Sequence, residues 1–281
     1  MLSKTAQIMK QREWAQFWQE PELLGIEILH AHYFAHSFAR HSHSEFVISL
    51  IEGGAGSFWY KGAVHPSPPG HLVILNPDEP HTGQASIEMG WKYKALYVAP
   101  EVLGKIAQEI ADKPWKTSCF PEPIVLDRQI IELMRQLHQL LRKPHSRIEA
   151  ESLLLSVLTK LLNRHTVDSP EVKRYKQEHW AVRQVREYIE THYADNLSLQ
   201  HLAELVDLNH FHLTEVFRKE VGLPLHAYLN QVRVRRAKQL ILAGESIAQV
   251  AYDTGFVDQS HLTRRFKQAI GCTPGRVLKH Q

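Results

Sequence analysis

Cysteine and long apolar runs are both scarce in this sequence of 281 residues. The two cysteines, Cys119 and Cys272, match neither the paired spacing of a zinc site nor a disulfide framework. We expect both to be buried thiols in a reducing compartment, which predicts a cytoplasmic protein. The longest apolar stretch, residues 153–162, is interrupted by a serine, a threonine and a lysine, and the N-terminal residues lack the apolar core of an export signal. The sequence therefore predicts no membrane-spanning or targeting segment.

An excess of charge of one sign is also scarce, because the net charge is only +3. Residues 175–281 hold 14 lysines and arginines against 11 aspartates and glutamates, whereas residues 1–174 hold 19 of each. The positive excess thus lies in the C-terminal part, with arginines clustered at 233–236 and 264–265. Such a small domain could meet a polyanion, although a modest excess alone more often reflects solubility. The length of the chain is sufficient for two domains, each with its own core.

Hydrophobic spacing predicts a strand-rich N-terminal part followed by helices. Residues up to about Glu20 are predicted to form a short amphipathic helix with Trp14, Phe17 and Trp18 on one side. Short runs of branched and aromatic residues then predict the strands of a small β-barrel or sandwich. These strands are predicted at residues 25–31, 46–51, 56–60, 72–75 and 91–98, and helices at 102–110, 124–141 and 149–164.

The helix predicted at 124–141 carries an apolar stripe that must be covered by something. Either the barrel covers this stripe or the stripe forms a dimer interface, and the sequence leaves both alternatives open. The stripe consists of Ile130, Leu133, Met134, Leu137, Leu140 and Leu141. Residues 165–178 are polar, contain a Ser-Pro pair and show no periodicity, so they are predicted to be a linker.

An internal repeat dominates the C-terminal part. Residues 209–222 align with residues 258–271, with His-Leu-Thr, a phenylalanine, a basic residue and a final glycine in both copies. Each copy begins with a residue suited to an N-cap and ends with a glycine suited to a C-cap, which predicts two helices of equal length. A shorter helix is predicted before each copy, at 198–206 and 246–253. Each unit is therefore predicted to be a helix-turn-helix.

A single long helix is predicted between the copies, from Leu225 to Ala243, and should stop at Gly244. At 1.5 Å per residue it is roughly 28 Å long. A rod of that length could hold the two second helices about 34 Å apart, the repeat of B-DNA, so that both enter the major groove of one duplex. The alternative, an ordinary helical bundle with an accidental repeat, lacks a reason for this spacing.

The outward faces of the two second helices are the predicted DNA-binding surface. Arg264 is suited to a bidentate contact with guanine, Gln259 to a contact with adenine, and Phe211 to packing on a thymine methyl group. Arg218 and Lys267 are expected to contact phosphate. Glu215 would either accept from cytosine or point away from DNA. The complete predicted set is His210, Phe211, Thr214, Glu215, Arg218, Gln259, Ser260, His261, Arg264, Arg265 and Lys267.

The C-terminal segment from about residue 180 resembles the double helix-turn-helix domain of AraC/XylS-family transcriptional regulators. The match is strongest over residues 250–267, Val-Ala-Tyr-Asp-Thr-Gly-Phe-Val-Asp-Gln-Ser-His-Leu-Thr-Arg-Arg-Phe-Lys, and over Gly-Cys-Thr-Pro at 271–274. The resemblance implies a protein that binds promoter DNA, often as an activator that contacts RNA polymerase. Glu215 departs from the basic or amide residue of many members, which puts base reading by the first helix in doubt.

The N-terminal part resembles, more loosely, the cupin-like sensor domain of the same family. The resemblance rests on His41-Ser-His43-Ser-Glu45, on glycines at 53, 54 and 56, and on residues 70–81, which end in His81. It implies a barrel that binds a small effector and helices that dimerise. We expect the effector pocket to be lined by His41, His43, Glu45, His81 and Trp59.

The same histidines leave open a metal site, since metal-binding cupins use an HxH pair, a glutamate and a later histidine. Glu45 follows His43 more closely than in that pattern. We therefore assign no metal and no cofactor from the sequence.

The sequence as a whole predicts an α+β protein: a cupin-like β-barrel with a helical dimerisation element, followed by an all-α double helix-turn-helix domain. The predicted boundaries are 1–164 for the effector-binding and dimerisation domain, 165–178 for the linker and 179–281 for the DNA-binding domain. The predicted function is sequence-specific transcription regulation, with activation as the expected sign, by a homodimer without enzymatic activity. The alternatives are a metal-dependent cupin enzyme with a helical tail and a nucleoid-type protein without sequence preference.

Overall fold

The computed structural model describes residues 13–86, 89–111, 119–167, 179–270 and 273–276. The chain divides into two compact units. The strand-built unit comprises residues 1–104, 117–132 and 165–168, and the helical unit comprises residues 105–116, 133–164 and 169–281. None of the helices in the described ranges combines the length and apolar composition that crossing a bilayer requires.

The described residues of the strand-built unit form two antiparallel sheets. The larger has the order β1-β2-β9-β4-β7-β10 and the smaller the order β3-β8-β5-β6. Side chains from both sheets, among them Ile51, Tyr60 and Trp91, form one shared core. The predicted cupin-like, strand-built N-terminal part is thus confirmed, as two packed sheets that do not close into one barrel within the described ranges. The strands are Trp14–Glu20 (β1), Ile26–Tyr33 (β2), Ser37–His41 (β3), Phe46–Gly54 (β4), Gly56–Tyr60 (β5), Ala63–Ser67 (β6), Leu72–Leu75 (β7), His81–Ala85 (β8), Trp91–Val98 (β9) and Ile124–Val125 (β10).

Residues 14–20, which end the segment predicted as an N-terminal amphipathic helix, form strand β1, and the part of that prediction before residue 13 lies outside the described residues. Strand β1 pairs antiparallel with β2, with Trp14 opposite His32 and Glu20 opposite Ile26. The spacing of its aromatic residues does fit a helical period. An isolated short helix is only marginally stable, however, whereas pairing with β2 along the whole strand satisfies the backbone groups that face β2.

The five strands predicted from hydrophobic runs are confirmed to within a few residues. The sequence missed β3, β6 and β8, which are rich in histidine, serine, proline and glycine and so lack a hydrophobic pattern. The predicted helix at 124–141 begins only at Arg128, because Ile124 and Val125 pair with β7. The carboxylate of Asp127 then accepts a hydrogen bond from the backbone N–H of Gln129 at 3.0 Å and caps the helix.

Nine α-helices follow or interrupt the strands in the described ranges. Those before the predicted linker are Pro100–Ala111 (α1), Arg128–Leu140 (α2) and Arg147–His165 (α3). The others are His179–Thr191 (α4), Leu199–Leu205 (α5), His210–Val221 (α6), Leu225–Ala243 (α7), Ile247–Asp253 (α8) and Gln259–Ile270 (α9), and a 3-10 turn spans Pro274–Arg276. Residues 168–178 of the predicted linker lie outside the described residues. Its first residue, His165, is the last residue of α3.

The helical unit contains two hydrophobic cores that share α7. Leu229 and Val232 belong to the core of the first helix-turn-helix, formed by α5 and α6. Ala237 and Ile241, further along α7, belong to the core of the second, formed by α8 and α9. The bounds predicted for α7 are confirmed, and Gly244 ends the helix in the left-handed conformation with φ 102°.

Helix α3 also contributes to the first of these cores. Ile148 is a buried member of the core, and Leu155 packs against it. Apart from Arg164, every residue of α3 is buried or half-buried, so this helix lies inside the unit and not on its surface.

The apolar stripe of α2 is buried within a single chain. Ile130, Met134 and Leu137 are all completely inaccessible to solvent. The structure therefore favours the alternative in which the stripe is core packing, and this stripe is not available as a dimer interface.

Two further expectations from composition are corrected. Cys119 is exposed and not buried, while Cys272 lies outside the described residues.

Arg233 is only 2% exposed and cannot contact a polyanion. Its Nε donates to the carbonyl oxygen of Tyr193 at 2.7 Å and its Nη2 to that of Asp195 at 2.9 Å. Burial lowers the pKa of this guanidinium to about 10. Arg233 therefore joins α7 to the segment after α4.

We predict that Leu137→Ala lowers the free energy of unfolding by about 2–5 kcal/mol, because the substitution leaves a cavity at a fully buried position. The oligomeric state of the folded protein should not change. Denaturant unfolding measures the first effect and light scattering the second. A folded protein of unchanged stability that dissociates from dimer to monomer would show that the stripe is an interface.

We also predict that Arg233→Lys lowers the free energy of unfolding by about 1–3 kcal/mol, because an ammonium group cannot serve both carbonyl oxygens in the fixed geometry of the guanidinium fork. Arg235→Lys is the matched control, since the exposed Arg235 on the same helix pairs with Glu190 at the surface. That variant should change stability by less than about 1 kcal/mol. Equal losses in the two variants would contradict the structural role of Arg233.

Candidate nucleic-acid interface and effector cavity

The helices of both helix-turn-helix motifs begin at side-chain caps. The Oδ1 of Asn209 accepts a hydrogen bond from His212 N at 2.7 Å, and the Oδ1 of Asp258 accepts one from His261 N at 2.6 Å. Ser198 and Ser246 cap α5 and α8 in the same way. The caps predicted from the repeat are thus confirmed. Ser246 and Gln249 have the spacing of a capping box, but the side chain of Gln249 donates to Asp253, so only the half in which Ser246 caps the helix is formed.

Two glycines fix the geometry of the motifs. Gly222 ends α6 in the left-handed conformation with φ 78°, as its place in the repeat predicts. Gly255, in the turn between α8 and α9, has φ 73°, and a Cβ at this position would lie 2.4 Å from the carbonyl oxygen of Ala194. Only glycine allows this close approach between the turn and the segment after α4.

The outward face of α9 is polar, basic and exposed. Arg264 and Lys267 are both exposed, and no acidic residue occurs in α9. The predicted residues Gln259 and Ser260 lie on the same face. The sequence analysis missed Thr263 and Gln268, although Thr263 follows Gln259 at the helical spacing of four. The residues that share this face are Gln259, Ser260, Thr263, Arg264, Lys267 and Gln268.

The outward face of α6 is mixed in charge. Glu215 and Arg218 are exposed, while His210 and Thr214 are half-buried. The hydroxyl of Thr214 donates to the carbonyl oxygen of Phe211 at 2.9 Å, within the helix. The two motifs therefore present different surfaces, although their sequences repeat.

Three residues predicted to face DNA are placed elsewhere. Phe211 is 4% exposed and His261 is 2% exposed, so neither reaches the outward face. The ring of His261 packs edge-on against Phe256 at 5.3 Å, and burial lowers its pKa to about 4. Arg265 is half-buried because it forms an ion pair with Glu149. The helical period alone put these side chains on the outer face, whereas the structure buries Phe211 and His261 and pairs Arg265 with Glu149 of α3.

Carboxylates from α1 and α3 contact both motifs. Glu149 of α3, itself 6% exposed, pairs with Arg265 and lies 3.8 Å from His261 Nε2. Glu109 of α1 accepts a hydrogen bond from His210 at 3.0 Å, which raises the pKa of that histidine. Glu151 of α3 accepts one from the backbone N–H of Leu199, at the start of α5, at 2.7 Å. No sequence signal identified these contacts, since the partners lie far apart in the chain.

The strand-built unit contains a small cavity with three histidines at its wall. His41, His43 and His81 line this cavity of about 60 Å³, as the sequence predicted. Burial lowers the pKa of His43 to about 4, assisted by the nearby His81 and His41 rings, and burial also lowers the pKa of His81. At neutral pH, His43 and His81 therefore offer neutral imidazole nitrogens. The other lining residues are Phe38, Val47, Ser49, Phe58, Val73, Leu75, Thr82, Gly83, Trp91, Tyr93 and Tyr97.

Two residues predicted for the pocket are not among those that line the cavity. In β5 the side chains of Phe58 and Tyr60 are buried, and Trp59, which alternates with them, faces the other side of the sheet beneath the Arg40 guanidinium. Glu45 lies beyond the end of β3, so the strand alternation that placed it beside His43 does not continue to it. Its carboxylate accepts a hydrogen bond from Ser44 instead.

Comparison with known proteins identifies two family domains in the chain, and the first of them includes α1, α2 and most of α3, of which the structure groups the greater part with the helical unit. Residues 23–158 match the family model of the AraC-like ligand-binding domain, and residues 202–280 match that of a helix-turn-helix domain. An uncharacterized HTH-type transcriptional regulator, YbfI of Bacillus subtilis, is 28% identical over 80% of this chain and 81% of its own length. The HTH-type transcriptional activator RhaS of an Enterobacter species is 22% identical over 86% of this chain and 87% of its own length.

Among solved structures, ToxT of Vibrio cholerae is similar, with 11% identity over 94% of this chain and 96% of that chain and a TM-score of 0.36. The two family models together account for both the strand-built sensor region and the paired helix-turn-helix motifs. The chain belongs to the AraC family of transcriptional regulators, with a ligand-binding domain and a DNA-binding helix-turn-helix domain.

Proposed function

We propose that the chain recognises a specific promoter sequence mainly through α9 and that a small molecule bound in the strand-built unit controls this recognition. The observation that supports the proposal most directly is the exposed face of α9, where Arg264, Lys267 and Gln259 stand together without an acidic neighbour in the helix. Arginine and glutamine are the side chains that read guanine and adenine in the major groove. Helix α6, whose face is mixed, contributes phosphate contacts through Arg218.

The proposal extends to organisation and partners. We propose that residues 1–164 form the effector-binding and dimerisation domain, 165–178 the linker and 179–281 the DNA-binding domain. The protein acts in the cytoplasm as a homodimer and an activator that contacts RNA polymerase, and it has no enzymatic activity. The naming of RhaS as an activator supports the sign of regulation. Because the α2 stripe is buried, the proposed dimer contact is assigned to another surface of the first domain.

We propose further that the carboxylates of α1 and α3 hold the motifs in a state that binds DNA weakly. Arg265 and His210 are occupied by Glu149 and Glu109, and these carboxylates add negative charge beside the helices that must approach phosphates. Both carboxylates fall within the region that matches the ligand-binding domain. Effector binding would therefore act by releasing these contacts, since a ligand shifts an equilibrium only through a difference in affinity for two states.

We predict that Arg264→Ala weakens binding to the cognate site by about 1–3 kcal/mol and relaxes the preference for guanine at one position, because the bidentate contact is lost. Arg218→Ala should weaken binding to cognate and random DNA by similar factors and reduce the salt dependence by about one unit of slope. Fluorescence anisotropy on cognate and scrambled duplexes at several salt concentrations measures both effects. Equal weakening on both duplexes by Arg264→Ala would show that α9 does not read bases.

We predict that Glu149→Gln tightens binding to the cognate duplex by about fivefold or more in the absence of effector, because Arg265 loses its charged partner and becomes free to turn toward DNA. Glu187→Gln is the matched control, since Glu187 forms an exposed ion pair with Arg183 within α4, and it should leave the affinity unchanged. A folded Glu149→Gln protein with unchanged or weaker affinity would contradict the proposed role of the carboxylates.

A further inference from the structure

We propose that His41, His43 and His81 form a binding site for a divalent transition metal ion. One nitrogen from each ring lies within 4.8 Å of the other two. The ring centroids are 4.4 Å apart for His41 and His81, 4.5 Å for His43 and His81, and 5.1 Å for His41 and His43. In a tetrahedral site with bonds of about 2.0–2.1 Å, donor atoms lie roughly 3.4 Å apart. Side-chain movements on the order of 1 Å would therefore close the site around an ion.

Backbone contacts hold two of the rings in a form that can bind metal. His41 Nδ1 lies 2.8 Å from the carbonyl oxygen of Ala39, and His81 Nδ1 lies 2.9 Å from that of Glu79. A carbonyl oxygen only accepts, so the Nδ1 atom of each ring carries the hydrogen, and in the neutral ring the lone pair is then on Nε2. Metal-ligating histidines are commonly oriented by this kind of second hydrogen bond.

The third ring has a buried nitrogen that the described residues leave unsatisfied. His43 Nδ1 is inaccessible to solvent and has no hydrogen-bond partner in the described part of the chain. Such a buried polar atom is unfavourable relative to one that has a hydrogen-bond partner or a bound ligand. The cost is removed if a bound ligand occupies the site between the three rings.

The donor set defines the class of ion. Three imidazoles suit zinc, nickel, copper and iron more than magnesium or calcium, which prefer oxygen ligands. Within the described residues, Glu45 is not part of the cluster, so three protein ligands leave at least one coordination position for water or an oxygen-donor ligand. The hydroxyl groups of Ser49 and Thr82 line the adjoining cavity, which can therefore accommodate such a ligand.

The test measures metal binding directly and needs neither DNA nor effector, so its outcome is separate from that of the proposed function. The full untagged chain is stripped with a chelator and titrated with Zn²⁺ by calorimetry, and with Co²⁺ by visible absorption. We expect one tight site per chain with a cobalt spectrum of low coordination number. The chain contains 19 histidines, so weak binding at higher stoichiometry does not count as this site.

His41→Ala is the main variant because His41 is exposed and its loss should leave the fold intact. His81→Ala is the second, with circular dichroism to check folding. The matched control is His71→Ala, since His71 is a half-buried histidine whose Nδ1 makes the same kind of contact, with the carbonyl oxygen of Pro69, but lies outside the cluster. Affinity should fall at least about tenfold in His41→Ala and remain unchanged in His71→Ala. Absence of a stoichiometric site in the parent chain, or equal affinity in His41→Ala, would overturn the proposal.

Discussion

The position of α9, the second helix of the second helix-turn-helix motif, depends on one buried carboxylate. Taking a carboxylate out of water is expensive unless a cation or hydrogen-bond donor accompanies it. Glu149 is buried in α3, and Arg265 of α9 supplies the cation. Removing either partner leaves the other charge uncompensated, so α3 and α9 are held together as long as both remain buried. Arg265 belongs to α9, whose exposed face is the proposed DNA-binding surface. The same ion pair therefore links the packing of the helical unit to that surface.

The position of α6, the second helix of the first helix-turn-helix motif, also depends on α3, but through hydrophobic packing. Ile148 and Leu155 belong to the core around α5 and α6, and Glu151 satisfies the backbone N–H of Leu199 at the start of α5. An unsatisfied N–H at a helix start is a cost that a side-chain acceptor removes. One helix from the region of the ligand-binding domain thus stabilises both motifs, so a displacement of α3 would be felt by both at once.

Helical periodicity and capping residues predicted the parts of the fold that are determined by residues close together in the chain. The bounds of α7, the caps at Asn209 and Asp258 and the left-handed Gly222 all follow from neighbouring residues, and the structure confirms them. Predictions from the sequence were wrong where a contact with a residue far away in the chain determines the local structure or the burial of a side chain. Pairing with β2 made a strand of residues 14–20, and His261 is buried beside Phe256 and Glu149, which the period of α9 does not reveal. The histidine cluster was found because both halves of its motif are short. Glu45 was misplaced because β3 ends before it, and Trp59 because the sequence does not show which face of β5 borders the cavity.

The cavity and the outward face of α9 present different side-chain chemistry. The described residues that line the cavity include neither lysine nor arginine nor any carboxylate, so polar recognition there rests on imidazole and hydroxyl groups. The outward face of α9 instead rests on the guanidinium of Arg264 and the ammonium of Lys267. An anion attracted by the basic face therefore finds no fixed cation in the cavity. The sites proposed for the effector and for DNA thus differ in charge, and the carboxylates of α1 and α3 that contact His210 and Arg265 are the charged groups to which the proposal assigns their coupling.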